Sequence, residues 1–150
     1  MRDPVNISTR PTLAGAVALL ESAGLPTRDL TETHCEHFFF VGSARAPTGL
    51  VGLELFGDVG LLRSLVVAPQ RRGRGEGLAL VNHAESEARS RGVDALYLLT
   101  TTAEVFFARQ GYQRAERAAA PAAIRTTREF AGLCPASSAF MSKGLGREVP

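Results

Sequence analysis

The chain has 150 residues, 45% hydrophobic and 21% charged, which is enough apolar sequence for one domain with its own core and excludes a disordered tail. Seventeen Lys and Arg against fifteen Asp and Glu leave +2, too small an excess for a protein whose partner is bulk nucleic acid or an anionic membrane. Lys143 is the only lysine, so the positions of the arginines matter more than their number.

In chain order, residues 5–10 suit a short strand. Residues 12–24 place Leu13, Ala16, Val17 and Leu20 on one helical face and end at Gly24. A second, short helix is expected at 26–30. Residues 37–44, 48–56 and 59–68 are aromatic, β-branched or alternating, and the short turns between them predict an antiparallel meander. The period then changes: 69–75 is a polar, glycine-containing loop, and 77–91 carries Leu78, Val81, Ala84 and Ala88 at helical spacing. A further apolar strand at 94–101 completes a βαβ unit with parallel strands. Residues 104–110 predict a short helix, 112–116 a strand, 121–133 a helix with proline in its first turn, and 139–145 a last strand. No repeat or linker divides the chain. The fold class is therefore α/β with a mixed sheet in a single domain spanning 1–150.

Cys35 and Cys134 are far apart and lack CxxC or Cys/His spacing, so plain buried thiols are expected rather than a disulfide framework. His34-Cys35-Glu36-His37 has the residue types of a metal cluster, but four adjacent residues of an extended segment cannot all face one ion, so a polar strand entry is expected and no metal. No basic and apolar leader pattern is present, and no apolar run approaches the ~18 residues of a membrane span. The expected setting is cytoplasmic.

The loop Gln70-Arg71-Arg72-Gly73-Arg74-Gly75-Glu76-Gly77 joins a buried strand to a helix start. There, free backbone N–H groups and the positive end of the helix dipole converge on one point, which is an anion site. Glycines let a phosphate approach the backbone, and Arg71, Arg72 and Arg74 add charge-assisted contacts. A dinucleotide fingerprint would need glycine where Leu78 stands and an acid where Thr100 and Thr101 stand, and a Walker loop would need Gly-Lys-Ser/Thr. Neither is met.

The run Leu65-Val-Val-Ala-Pro-Gln-Arg-Arg-Gly-Arg-Gly-Glu-Gly77 resembles motif A of the GNAT superfamily of N-acetyltransferases, with Gln70, Gly73 and Gly75 on its Q/R-x-x-G-x-G/A pattern. A second block, Ala103-Glu-Val-Phe-Phe-Ala-Arg-Gln-Gly-Tyr112, is similar to the family's A-x-x-F/L-Y-x-x-x-G-F. Within the superfamily, LLRSLVV, LLTTTAEVFFARQGY and EFAGLCPASSAFMSK resemble the arsenic-resistance-operon (ArsN-type) branch. The resemblance implies an acetyl-CoA site in which the backbone of Leu65, Val66 and Val67 pairs with pantetheine amides and N–H groups from Arg72 to Gly77 hold the pyrophosphate. It also places Thr100 where the family has an asparagine and Phe107 where it has the tyrosine that protonates the thiolate, both beside the cofactor.

The implied reaction is transfer of an acetyl group from acetyl-CoA to a small amine, the suggested acceptor being an amino-acid-like organoarsenical or phosphinothricin-type compound. Leu62-Arg63-Ser64 offers no carboxylate on the central strand, so the nearest substitute base is Glu54, for which the plainer reading is an ion pair with Arg63. Tyr112 reads as core. Arg63, Arg117, Arg125 and Arg128 are candidates for holding an anionic acceptor, since guanidinium groups match carboxylate, phosphinate or arsinate. Specificity is expected in 121–133 and the following Cys134-Pro135-Ala136-Ser137-Ser138. Expected partners are the small-molecule amine and, at most, a second copy in a homodimer. The alternative is a catalytically silent acetyl-CoA-binding sensor or partner-binding domain.

Overall fold

The computed structural model describes residues 5–135 and 137–146. Its strands are β1 (Ser8–Thr9), β2 (Phe38–Gly42), β3 (Pro47–Phe56), β4 (Val59–Val67), β5 (Ala95–Thr100), β6 (Gln113–Arg114) and β7 (Ala139–Gly144). Its helices are α1 (Leu13–Ser22), α2 (Glu32–Cys35), α3 (Glu76–Ser90), α4 (Glu104–Arg109) and α5 (Ala122–Arg125). One mixed sheet runs in the order β1-β2-β3-β4-β5-β7-β6. β2 to β4 form the expected antiparallel meander, to which β1 adds antiparallel beside β2; β4 and β5 are parallel with α3 between them in sequence, and β7 lies antiparallel between β5 and β6.

The period of two along each strand sorts the core into two layers. Phe39, Val41, Val51, Leu53, Leu62, Leu96 and Leu98 pack with Leu80, Val81, Ala84 and Ala88 of α3. Their neighbours turn to the other face, where Phe38, Phe40, Leu50 and Val66 meet Ala16 and Leu20 of α1, and Leu61 and Phe140 meet Ile124 of α5. A register shift in the β3–β4 pairing, from Gly52↔Arg63 to Leu50↔Val66, leaves Ser64 in the left-handed region at φ 60°. This is a bulge at the centre of the sheet, where it re-aims the end of β4.

Four sequence expectations are corrected. The first strand contracts to two residues. The helix expected at 26–30 forms instead at Glu32–Cys35, where the N–H of Thr31 donates to Nδ1 of His34 at 3.1 Å and caps the turn, so His34 and Cys35 belong to a helix that Glu36 caps and not to a strand entry. The strand expected at 112–116 is only Gln113–Arg114, followed by a 3-10 turn at Arg117–Ala119. The helix expected at 121–133 breaks into α5 and a separate wide turn at Glu129–Leu133. The hydroxyls of Thr126 and Thr127 donate to the carbonyls of Ala123 and Ile124, competing with the helix for its own acceptors. Among the described residues, no helix is long and apolar enough to cross a membrane.

Candidate functional site

β4 and β5 pair from Val59↔Ala95 to Leu61↔Tyr97 and then separate. The opening between them is a cavity of about 320 Å³ flanked by Leu62–Leu65 of β4 and Leu98–Thr100 of β5 and closed by Gly24–Pro26, Phe107 and Glu129. A second cavity of about 290 Å³ shares Leu25, Leu65 and Ala103 with the first and reaches Arg72 and Gly77. Together they connect the glycine loop to the interior of the splay. On this side the backbone of Leu65, Val66 and Val67 has no strand partner, so an extended amide-bearing ligand can pair with it.

The loop has the geometry expected from its glycines. Gly73 and Gly75 have φ of 81° and 78°, a conformation that costs an L side chain ~1–2 kcal/mol, and no atom lies within 4 Å of the place a Cβ on Gly73 would occupy. Gly75 is the N-cap of α3, whose fifteen residues align their peptide dipoles toward the loop. Arg72 donates to the carbonyl of Val67 at 3.3 Å. Arg71 is turned away from a purely anion-binding role: its guanidinium donates to the buried Glu76 carboxylate at 2.6 Å, an ion pair that fixes the loop to the first turn of the helix. No protein partner holds Arg74 among the described contacts.

Sequence reasoning places Arg63 and Glu54 together, and the structure adds two further carboxylates. The Arg63 side chain is fully buried; it donates bidentately to Asp29, and to Glu54 Oε2 at 2.8 Å, its Nε donates to Ser64 Oγ at 3.0 Å, and Glu129 Oε1 forms an ion pair with it at 3.1 Å. Arg63 was expected to bind an anionic acceptor. It lines the cavity, but it already donates to Asp29, Glu54 and Ser64 and is paired with Glu129 as a third counter-charge. Glu54 accepts from Arg63 and does not line the cavity. Burial raises the carboxyl of Asp29 while the hydrogen bond and charge of Arg63 pull it down further, leaving it below the usual range. Glu129 behaves oppositely: burial pushes it up to about 7, with Arg63 opposing and Asp29 and Glu54 reinforcing.

Other sequence candidates lie elsewhere. Arg117 donates to the carbonyl of Ser138 at 2.7 Å and sits over the Phe130 ring, so it braces the cavity wall, while Arg125 and Arg128 are exposed and do not line the cavity. Phe107 is buried against Phe106 and Tyr112 and lines the cavity. Tyr112 is core as expected, its hydroxyl donating to Glu85 at 3.0 Å; burial and the Glu85 charge push that hydroxyl far above its ordinary value. Thr100 Oγ1 accepts from the N–H of Ala103, fixing the entry to α4. Burial and Glu129 raise the Cys134 thiol to about 12, which makes it unreactive. Of the segment expected to set specificity, Ala136 lies outside the described residues, while Cys134, Pro135 and Ser138 line the cavity.

Sequence reasoning misses Asp29, whereas Glu129 and Ser138 lie inside the segments, 121–133 and Cys134 to Ser138, that it assigns to specificity without singling out either side chain. A signal existed for Glu129, set in the apolar run Glu129-Phe130-Ala131-Gly132-Leu133, as Glu54 is set in its strand. His34 is also joined by distant residues: its ring nitrogen and the carboxylates of Asp29 and Glu54 come within 4.8 Å of one another. Those carboxylates already accept from Arg63, and Nδ1 accepts from Thr31, so the group is built as a charge network.

The model of the Acetyltransferase (GNAT) family matches residues 11–115. An amino-acid acetyltransferase of Neisseria meningitidis is 30% identical over 110 residues, covering 70% of this chain and 25% of that protein. A crystal structure of N-acetylglutamate synthase from Neisseria gonorrhoeae, complexed with coenzyme A and N-acetyl-glutamate, superposes with a TM-score of 0.80 at 25% identity over 98% of this chain and 36% of that one. A Mycobacterium tuberculosis protein in complex with CoA and NLQ shares the fold at 20% identity and a TM-score of 0.71, over 93% of this chain and 98% of that one. The chain spans about a quarter of the length of the curated relatives it matches. With motif, fold and the match over residues 11–115 in agreement, the chain belongs to the GNAT acetyltransferase family.

Proposed function

We propose that this chain transfers the acetyl group of acetyl-CoA to the amine of a small, amino-acid-like molecule. The observation that carries the reading is the passage from Arg72 of the glycine loop and Gly77 of α3, along the β5-facing edge of Leu65–Val67, which has no strand partner on that side, into the space where β4 and β5 part. Acetyl-CoA supplies the activated thioester. The loop N–H groups of residues 72–77 and Arg74 suit its pyrophosphate, and the open edge of β4 suits its amide-bearing arm. The amine is held in the splay, where positioning two reactants contributes more than proton transfer alone.

The names of the Neisseria relatives favour an amino-acid-like acceptor. The similarity to the arsenic-resistance branch makes organoarsenical and phosphinothricin-type amines the first compounds to assay. A cavity whose one guanidinium is neutralised gives their anionic heads little purchase, so amino acids with uncharged side chains belong in the same panel.

Calorimetry with CoA, and with CoA lacking its phosphates, tests the cofactor half: binding should be tight for CoA, weak for the stripped form and absent in Gly75→Glu, and no binding below millimolar would refute it. Thiol release across the amine panel tests the transfer. Binding without turnover on any amine would instead favour a silent acetyl-CoA sensor.

A further inference from the structure

We propose that Glu129 and Ser138 form the amine subsite of the cavity, with Glu129 taking the proton of the incoming ammonium, so that the acceptor is an amino-acid-like primary amine with an uncharged, largely apolar side chain. This rests on the acetyl-transfer reading above and names its acceptor class and base.

Two independent observations carry it. Glu129 is 4% exposed and lines the cavity, at the edge of a cluster in which three carboxylates share one guanidinium. A buried site with more carboxylate than cation is incomplete without a further positive group, and an ammonium supplies one. Ser138 is 5% exposed and lines the same cavity, and its Oγ is the buried side-chain polar atom without a hydrogen-bond partner among the described residues. A buried hydroxyl left unpaired is costly, and a ligand amine that donates to it removes the cost. Leu62, Leu65, Leu98, Leu99, Phe107 and Leu133 make most of the remaining lining apolar; its polar members are Arg63, already paired with carboxylates, Ser64 and Thr100 to Thr102.

Glu129 is also poised to act as a base. Arg63 of β4, Glu54 of β3, Asp29 before α2 and Cys134 of its own turn face it, and their balance with burial sets its carboxyl at about 7, near the optimum for proton transfer at neutral pH. The carboxylate removes one proton from R–NH3+, giving R–NH2 and a neutral Glu129. The nitrogen lone pair attacks the thioester carbonyl carbon, the C–S bond breaks, and the sulfur leaves as thiolate. The proton then lost from the cationic nitrogen of the adduct neutralises that thiolate through solvent, and Glu129 releases its own proton to solvent, which restores the carboxylate. The products are the N-acetyl amine and free CoA. In this scheme Glu54 and Asp29 are positioning residues, acting through Arg63.

The test compares wild type, Glu129→Gln, Ser138→Ala and Glu54→Gln, with phenethylamine and L-leucine amide as apolar acceptors and L-glutamate as a dianionic one. Expected are turnover of the apolar amines above L-glutamate, a kcat for Glu129→Gln lowered about 10²-fold at pH 7 and much less at pH 9.5, and loss of the inflection near neutrality. Ser138→Ala should raise KM several-fold with no fall in Tm, because the hydroxyl it removes has no partner to lose; a purely structural serine would lower Tm and leave KM alone. CoA affinity should stay unchanged in Glu129→Gln and Ser138→Ala. A wild type that binds CoA and turns over amines while Glu129→Gln keeps its rate and pH profile overturns this inference and spares the acetyl-transfer reading. Transfer of the inflection to Glu54→Gln, or preference for L-glutamate, overturns it equally. A wild type that binds no CoA refutes the acetyl-transfer reading instead.

Discussion

Arg63 shows how one side chain can carry several distant segments. Its guanidinium ties β4 to β3 through Glu54, to the segment before α2 through Asp29 and to the turn after α5 through Glu129. Taking those charges out of water is expensive, and the arrangement is tolerable because Asp29 and Glu54 accept hydrogen bonds from the guanidinium that also faces Glu129 at 3.1 Å. Arg63→Met removes the shared cation and strands three carboxylates, so urea unfolding should show a loss of about 3–5 kcal/mol at pH 7, shrinking at acid pH where the carboxyls can protonate. Tyr112 offers the contrasting case. Its hydroxyl is committed to Glu85, which also accepts from Lys143 at 2.9 Å. Tyr112→Phe should cost about 1–3 kcal/mol in the same assay and leave the shape of the pH–rate profile unchanged, since this hydroxyl is held protonated and away from the cavity. With Phe107 where an acid would stand, no alkaline fall in rate should appear below about pH 9.5.

At the scale of elements, α1 illustrates how closely a helix can be set. A Cβ on Gly15 would lie 2.7 Å from the carbonyl oxygen of Arg45, and that oxygen belongs to backbone that cannot swing aside. Gly15→Ala should therefore shift α1 and cost about 1–3 kcal/mol in thermal unfolding, although alanine is the better helix former. The residues that end α1 lead to the Gly24–Pro26 wall of the cavity, so the same change should loosen amine binding. Elements of this kind were legible in the sequence wherever periodicity and local chemistry agreed. The three meander strands, α3 and the glycine loop were read from spacing alone, because their patterns are set within one element. What escaped were contacts made across elements. Asp29 and Glu129 come from separate segments and meet only at Arg63, Glu129 and Ser138 share only the cavity where β4 and β5 part, and no local period encodes either meeting. The break between α5 and Glu129 was hidden as well, since threonine hydroxyls competing for helix carbonyls leave little mark on the hydrophobic pattern.

For the whole molecule, the buried charge cluster predicts an unusual dependence of stability on pH. The carboxyl of Glu129 is raised from its ordinary 4.5 to about 7, chiefly by burial. Below pH 4.5 it is neutral in both the folded and unfolded chains; between the two values the unfolded chain ionises and the folded one does not, so unfolding releases a proton and stability falls as pH rises. The full difference corresponds to about 3 kcal/mol, lost by the time the pH passes 7. Asp29 works in the opposite direction: its carboxyl is lowered from 3.8, so its contribution is present above that value and disappears as the solution is acidified further. These two groups place the maximum of stability near the ordinary carboxyl range, below neutrality, and they have opposite slopes on either side of it. Chemical denaturation at pH 5 and pH 8 should find the wild type less stable at the higher value, and Glu129→Gln, which cannot ionise, nearly equal at both. A wild type equally stable at both values would mean that Arg63 already holds Glu129 ionised, and the neutral carboxyl inferred from its burial would be wrong.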